Sequence, residues 1–203
     1  MGCTMSSKIY FFQVLFVAVF IFYGCSTKNI TPSDGTTDNE RLRMVGNAFY
    51  YRGDFAEAKK NYEVACQNGD ASSCVNLGYI YEKGLGEASN TSLALKYYQN
   101  ACIEMDNGLA CNNLGVIYLA LSAIEENNER NLEIQEKAID AFDEACAMGE
   151  KIGCFNLGML NYRMGDLESA LDRLEKACDN ENGVVWACKK LPAIIKKLQE
   201  NGE

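Results

Sequence analysis

Ten cysteines stand in a chain of 203 residues, and eight of them fall into four close pairs. These are Cys66 and Cys74, Cys102 and Cys111, Cys146 and Cys154, and Cys178 and Cys188, at separations of 8, 9, 8 and 10. Thiols at such spacing can act as nucleophiles or redox centres, hold a metal, or pair as disulfides. A structural zinc site favours cysteines two to four apart, often completed by histidine, and this chain contains no histidine. A catalytic thiol is written once. Here the layout occurs four times, as ACQNGDASSC from Ala65, ACIEMDNGLAC from Ala101, ACAMGEKIGC from Ala145 and ACDNENGVVWAC from Ala177. The pairs therefore belong to a repeating architecture.

Elements that position these pairs follow from alignment on the Ala-Cys dipeptide. Ala58, Ala94, Ala138 and Ala170 lie eight residues before the cysteine, Tyr62, Tyr98, Phe142 and Leu174 four before, and Ala65, Ala101, Ala145 and Ala177 one before. That spacing is one stripe of a helix with small residues for close packing, called here the B helix. A second block follows each of the first three pairs: VNLGYIY at Val75, NNLGVIY at Asn112 and FNLGMLN at Phe155, with RMVGNAF at Arg43 before the first. A glycine inside a helix costs roughly 1 kcal/mol against alanine, so Gly46, Gly78, Gly115 and Gly158 mark close approach by a neighbour on this A helix. Gly-Asp at Gly53 and Gly165 ends one helix and caps the next. The glycine period runs 32, 37 and 43. The longest carries a polar insertion, residues 122–135, whose Glu125 to Glu129 stretch reads as a solvated loop. The tail predicts a capping helix kinked or restarted at Pro192, with Trp186 covering the last core layer.

The N-terminus reads as an export signal. Lys8 precedes the apolar run Ile9 to Tyr23, then Gly24-Cys25 and a polar stretch. Phe22-Tyr23-Gly24-Cys25 is similar to a bacterial lipobox, which makes Cys25 the lipidation site; a plainly cleaved signal and an uncleaved anchor stay open, as does a start at Met5. Export places the thiols where disulfides persist. With Cys3 and Cys25 removed by processing or lipidation, the recurring spacing favours sequential pairing of the rest. Net charge is −9, and without Lys8 the chain after Cys25 has 18 basic against 28 acidic residues, which disfavours nucleic acid as a ligand.

The N-L-G-x-x-Y block, Gly84-Leu85-Gly86 and the A-x-x-x-Y-x-x-A-C helix resemble Sel-like repeats, relatives of tetratricopeptide repeats. With a cysteine pair in each unit and an exported N-terminus, the chain resembles the Helicobacter cysteine-rich protein family. The resemblance implies an all-α fold, a right-handed αα-solenoid with a disulfide in each repeat. It divides the chain into a signal peptide (1–24), a lipidated linker (25–39), four repeats over 40–188 (about 40–70, 71–107, 108–150 and 151–183) and a C-terminal capping helix (184–203). That family is often described as β-lactamase or penicillin-binding, which makes weak β-lactam binding or turnover the alternative function. No S-x-x-K, S-D-N or K-T-G motif is present to support a serine enzyme, and a zinc enzyme would need histidines. No cofactor, metal or catalytic residue is assigned.

The leading function is binding of a peptide or protein partner in a concave groove lined by the A helices, at the bacterial envelope or outside the cell. Counting from the recurring glycine, the groove positions are Arg43, Asn47, Tyr50 and Tyr51, then Tyr79, Glu82 and Lys83, then Asn112 and Leu119, then Phe155, Met159, Tyr162 and Arg163. Tyrosines interleaved with amides and cations suit an extended peptide; packing between helices is the alternative for any one of them. A β-lactam or peptidoglycan-derived ligand is the second partner class, membrane contact is expected only through the lipid anchor, and the chain is read as a monomer.

Overall fold

A computed structural model describes residues 37–178 and 183–201. The expected signal peptide, Cys25 and the linker as far as residue 36 lie outside the described residues. The remainder is all helix, with no strand among the described residues. In chain order the helices are α1 (Asp38–Tyr51), α2 (Phe55–Gln67), α3 (Ala71–Lys83), α4 (Thr91–Gln99), α5 (Gly108–Ser122), α6 (Asn128–Ala147), α7 (Lys151–Met164), α8 (Leu167–Ala177) and α9 (Val185–Asn201). One π-helical turn, Asn100–Glu104, extends α4. Each helix packs chiefly on the one before and the one after it, the αα-solenoid pattern in which every unit touches its neighbours alone. Helices α1, α3, α5 and α7 are the A helices, and α2, α4, α6 and α8 the B helices.

Helix starts are written locally. Thr37, Asp54, Asp70, Asn90, Asn107, Asn127 and Asp166 each accept a hydrogen bond from the amide three residues on, satisfying a donor that the first turn leaves unpaired. Gly84 and Gly165 end α3 and α7 in the left-handed conformation. The insertion differs from expectation. Asn127 caps a helix 20 residues long, so Asn128 and Glu129 form its first turn rather than a loop. Asn131 donates to the Ser122 and Glu125 carbonyls at 2.6 and 3.2 Å, and Lys137 bonds Glu133 at 2.6 Å, which tie the extension down. Helix α9 runs as one element with Pro192 inside it, where the sequence suggested a kink or restart.

What joins A to B is a slot. An ideal Cβ built on Gly46, Gly78 or Gly115 would stand 2.6, 2.6 or 2.7 Å from the ring of Tyr62, Tyr98 or Phe142, and one on Gly158 would stand 2.8 Å from Leu174 Cγ. Each B helix thus lays its largest side chain into the space of a missing side chain on its A helix. Tyr62, Tyr98, Phe142 and Leu174 are all essentially inaccessible to solvent, as are the eight alanines at the ends of the B stripe, Ala58, Ala65, Ala94, Ala101, Ala138, Ala145, Ala170 and Ala177. Burying one such large side chain stabilises by about 1.5–3 kcal/mol.

What joins one pair of helices to the next is sulfur. Disulfides link Cys66 to Cys74, Cys102 to Cys111, Cys146 to Cys154 and Cys178 to Cys188, with Cα–Cα distances of 4.9, 4.8, 4.5 and 4.8 Å. Each ties the end of a B helix to the start of the following A helix or of α9. The thioethers of Met105 and Met148 lie 3.8 Å from Cys74 and Cys111 Sγ; since a disulfide sulfur carries no hydrogen, these are packing contacts that extend the sulfur seam.

Two outcomes follow from these contacts. In an open helix Gly→Ala stabilises by about 1 kcal/mol, but Gly115→Ala should destabilise by roughly 1–3 kcal/mol through overpacking on Phe142, measured by urea unfolding of the oxidised protein. Replacing Cys102 and Cys111 together by alanine should cost about 2–3 kcal/mol, the chain-entropy value for a loop this short, and mass mapping of the parent should recover four disulfide-linked peptide pairs.

Candidate binding face

Hydroxyls at the tips of the slotted tyrosines organise the A helices. Tyr62 donates to Asn47 Oδ1 at 2.6 Å, and Asn76 of the next A helix donates to the same oxygen at 3.4 Å. Tyr98 donates to Glu82 Oε2 at 3.0 Å, and Asn113 of the following A helix is among the groups that perturb its phenol. Phe142 has no hydroxyl, and there Asn156 donates directly to Asn112 Oδ1 at 2.8 Å. The Asn76–Asn47 and Asn156–Asn112 bonds cross from one A helix to the next. Burial is the first cause that pushes the Tyr62 phenol up to about 12. Burial, followed by the Glu82 carboxylate, raises Tyr98 as well.

Several expected groove residues are thereby placed in the framework. Asn47 and Glu82 are acceptors for the buried hydroxyls, and Asn112 is itself buried. Arg43 braces the α2–α3 turn by bonding Asp70 at 3.3 Å, the same aspartate that caps α3. Leu119 packs against the cluster of Ala138, Phe142 and Leu157, and Phe155 and Met159 pack against one containing Leu174 and Ile194. Asn76, Asn113 and Asn156 were not singled out from the sequence, although each is the asparagine of an N-L-G triplet. Trp186 does not cover the last core layer. It is 66% exposed, with Lys189 Nζ 4.7 Å from its ring centroid, and Ala187 and Ile194 fill that layer instead.

The accessible remainder forms two patches. At the C-terminal ends of α1 and α3, Tyr50 meets Tyr51 edge-on at 5.6 Å and Phe55 at 5.5 Å. Tyr51 is 84% and Tyr79 41% exposed, and Lys83 Nζ lies 5.7 Å from the Tyr79 ring. Burial first, then the neighbouring Tyr79, raises the Tyr50 pKa. At the C-terminal end of α7, Tyr162 accepts a hydrogen bond from Lys197 at 2.8 Å, which lowers its pKa. Arg163 lies beside it, exposed, and with Leu119, Gln135 and Ile139 lines a cleft of about 340 Å³ between α5, α6 and α7. All eight paired cysteines are in disulfides, so none of them presents a thiolate to a metal or an electrophile. Among the described residues no helix is long and apolar enough to cross a membrane.

Comparison with known proteins agrees with this geometry. The Sel1 repeat family model matches residues 42–70, 71–103 and 108–130, spanning α1 into α6. A curated relative, cytochrome c oxidase assembly factor 7 of Xenopus tropicalis, is 30% identical over 124 residues, covering 58% of this chain and 53% of that protein; the chain thus spans about half the length of that relative. The crystal structure of a Sel1 repeat protein from Oxalobacter formigenes superposes with a TM-score of 0.54 at 23% identity, over 73% of this chain and 63% of the other. The MamA protein superposes at 0.50 with 19% identity, over 78% and 81%. At these identities the two structures speak for the fold alone.

The buried phenols make a pH signature. A phenol whose pKa is raised on folding holds its proton more tightly in the native state, so its contribution is whole below pH 10, the ordinary tyrosine value, and is lost as pH climbs toward the folded value near 12. Denaturant midpoints should therefore fall between pH 10 and 12 more steeply for the parent than for Tyr62→Phe, which should itself lose about 0.5–1.5 kcal/mol at neutral pH.

Proposed function

We propose that this Sel1-repeat protein is a binding module that holds an extended segment of a partner protein across the tyrosine patch at the ends of α1 and α3. The single observation behind this reading is that Tyr51 and Tyr79 stay exposed, Tyr79 beside Lys83, while the slotted rings of the B helices are buried. Large rings left in solvent next to a cation suit recognition, since an aromatic side chain brings contact area at low entropic cost. Tyr50 and Phe55 back this patch edge-on and limit its rearrangement on binding.

Disulfides favour an oxidising compartment outside the cytoplasm. On this reading residues 1–24 direct export and Cys25 carries the lipid that holds the module at the bacterial envelope, acting as a monomer.

A peptide selected from a random library against the oxidised protein tests the binding face. Tyr51→Ala or Tyr79→Ala should weaken its affinity about tenfold or more, the scale of a central aromatic contact, while Val116→Ala on α5 leaves it near the parent value. Unchanged affinity in both tyrosine variants, by titration calorimetry, would rule the patch out.

A further inference from the structure

The chain is acidic, at net −9, and most of its cations are matched. Arg43 pairs with Asp70, Lys59 with Glu87, Lys137 with Glu133 and Arg173 with Asp143. The α7–α9 end departs from this pattern. Among the described residues Arg163, Lys189, Lys190 and Lys197 make no ion pair: Lys189 lies over Trp186, Lys190 lies 5.7 Å from the Tyr162 ring centroid, and Lys197 lies 4.7 Å from it. Two ammonium groups held about one ring repel each other, and no carboxylate is among the groups that perturb the phenol between them.

Register on α9 makes these residues one surface. Trp186, Lys189, Lys190, Ala193 and Lys197 follow the spacing that shares a helix face, and all are exposed. The opposite face of α9 is spent on the fold, because Ala187 and Ile194 are buried and Leu191 and Leu198 pack beside them. A bilayer would take up such apolar residues, and α9 has already committed them to α7 and α8. What this stripe presents is a tryptophan and unpaired cations beside the Tyr162 hydroxyl of α7, whose oxygen accepts from Lys197 and whose own proton remains available for a directional bond; Val185 and Ile195 of α9 are exposed as well.

We propose that this stripe, with Tyr162, is a docking surface for an acidic segment of a partner protein, its carboxylates seated between Lys190 and Lys197 and its apolar atoms resting on Trp186. The inference rests on the reading of the chain as a peptide binder and adds the partner's chemistry. A carboxylate there relieves the repulsion between the two ammonium groups and gains charge-assisted hydrogen bonds. Elsewhere the acidic surface repels the same segment, which fixes where it lands and in which direction it runs.

The test uses a fluorescein-labelled peptide of alternating Glu and Ala and its Gln counterpart, read by anisotropy on the oxidised full chain at low salt. The Glu peptide should bind about tenfold tighter than the Gln peptide, and added salt should narrow the gap. Lys190→Gln with Lys197→Gln should abolish the preference, whereas Lys190→Arg with Lys197→Arg should keep it. Equal binding of the two peptides, no binding of the Glu peptide, a preference that survives the double Gln variant, or its loss to phosphatidylglycerol vesicles in competition would each overturn the inference. A Tyr79→Ala arm separates the two claims. Weakening of both peptides alike by Tyr79→Ala, without a Glu preference, sinks the acidic docking surface and spares the α1–α3 patch; a lysine-dependent preference untouched by Tyr79→Ala does the reverse.

Discussion

A side chain that is missing holds this protein together. Gly46, Gly78, Gly115 and Gly158 each leave a gap on an A helix that the facing B helix fills with Tyr62, Tyr98, Phe142 or Leu174. The contact sets how near the two helices of a pair approach. It also sets where the tyrosine hydroxyls arrive, because a ring pinned in a slot can bring its oxygen to one place only. At that place stand Asn47 and Glu82, so the position of both hydroxyl bonds descends from Gly46 and Gly78. The accessible face is what remains once these positions are filled.

Short-range cohesion suits a chain in which each unit touches only its neighbours. With each unit packed chiefly on its neighbours, the joints between units carry the stability, and here every joint has a covalent link. The disulfides span the B-to-A turns, away from the exposed rings of Tyr51 and Tyr79. The scaffold and these exposed rings are therefore chemically separate. Under the proposed binding function, substitutions on the outer ends of the A helices change recognition without disturbing slots or sulfur, a division that allows one framework to acquire different ligands.

Legibility in the sequence followed repetition. The B-stripe alanines, the A-helix glycines and the cysteine spacing recur in register, so their packing role could be read directly, and the fold with it. Residues that occur at one position only were harder. Trp186 has no counterpart in the other units, and a large apolar residue beside a cysteine looks like core until Ala187 is seen to occupy the inward position. Within the Glu125–Glu129 stretch the loop runs only as far as Asn127, and the helix start at Asn128 was missed because the charge outweighed the capping signal of Asn127. Asn112 was placed in the groove by its offset, which specifies a face of its own helix but not whether Asn156 of the next helix closes over it. The opposite error hid Asn76, Asn113 and Asn156: their recurrence was visible, but their purpose depends on side chains that other helices present to them.

Hydrogen-exchange mass spectrometry of Phe142→Ala in the oxidised state tests most directly whether slots act locally and in series. Emptying the Gly115 slot should speed exchange in α5, α6 and the adjoining turn of α7, and leave α1 and α2 at the parent rate, because the intact Gly78 slot and two disulfides lie between. Equal acceleration across every helix would contradict the account, as would exchange in α5 and α6 no faster than in the parent.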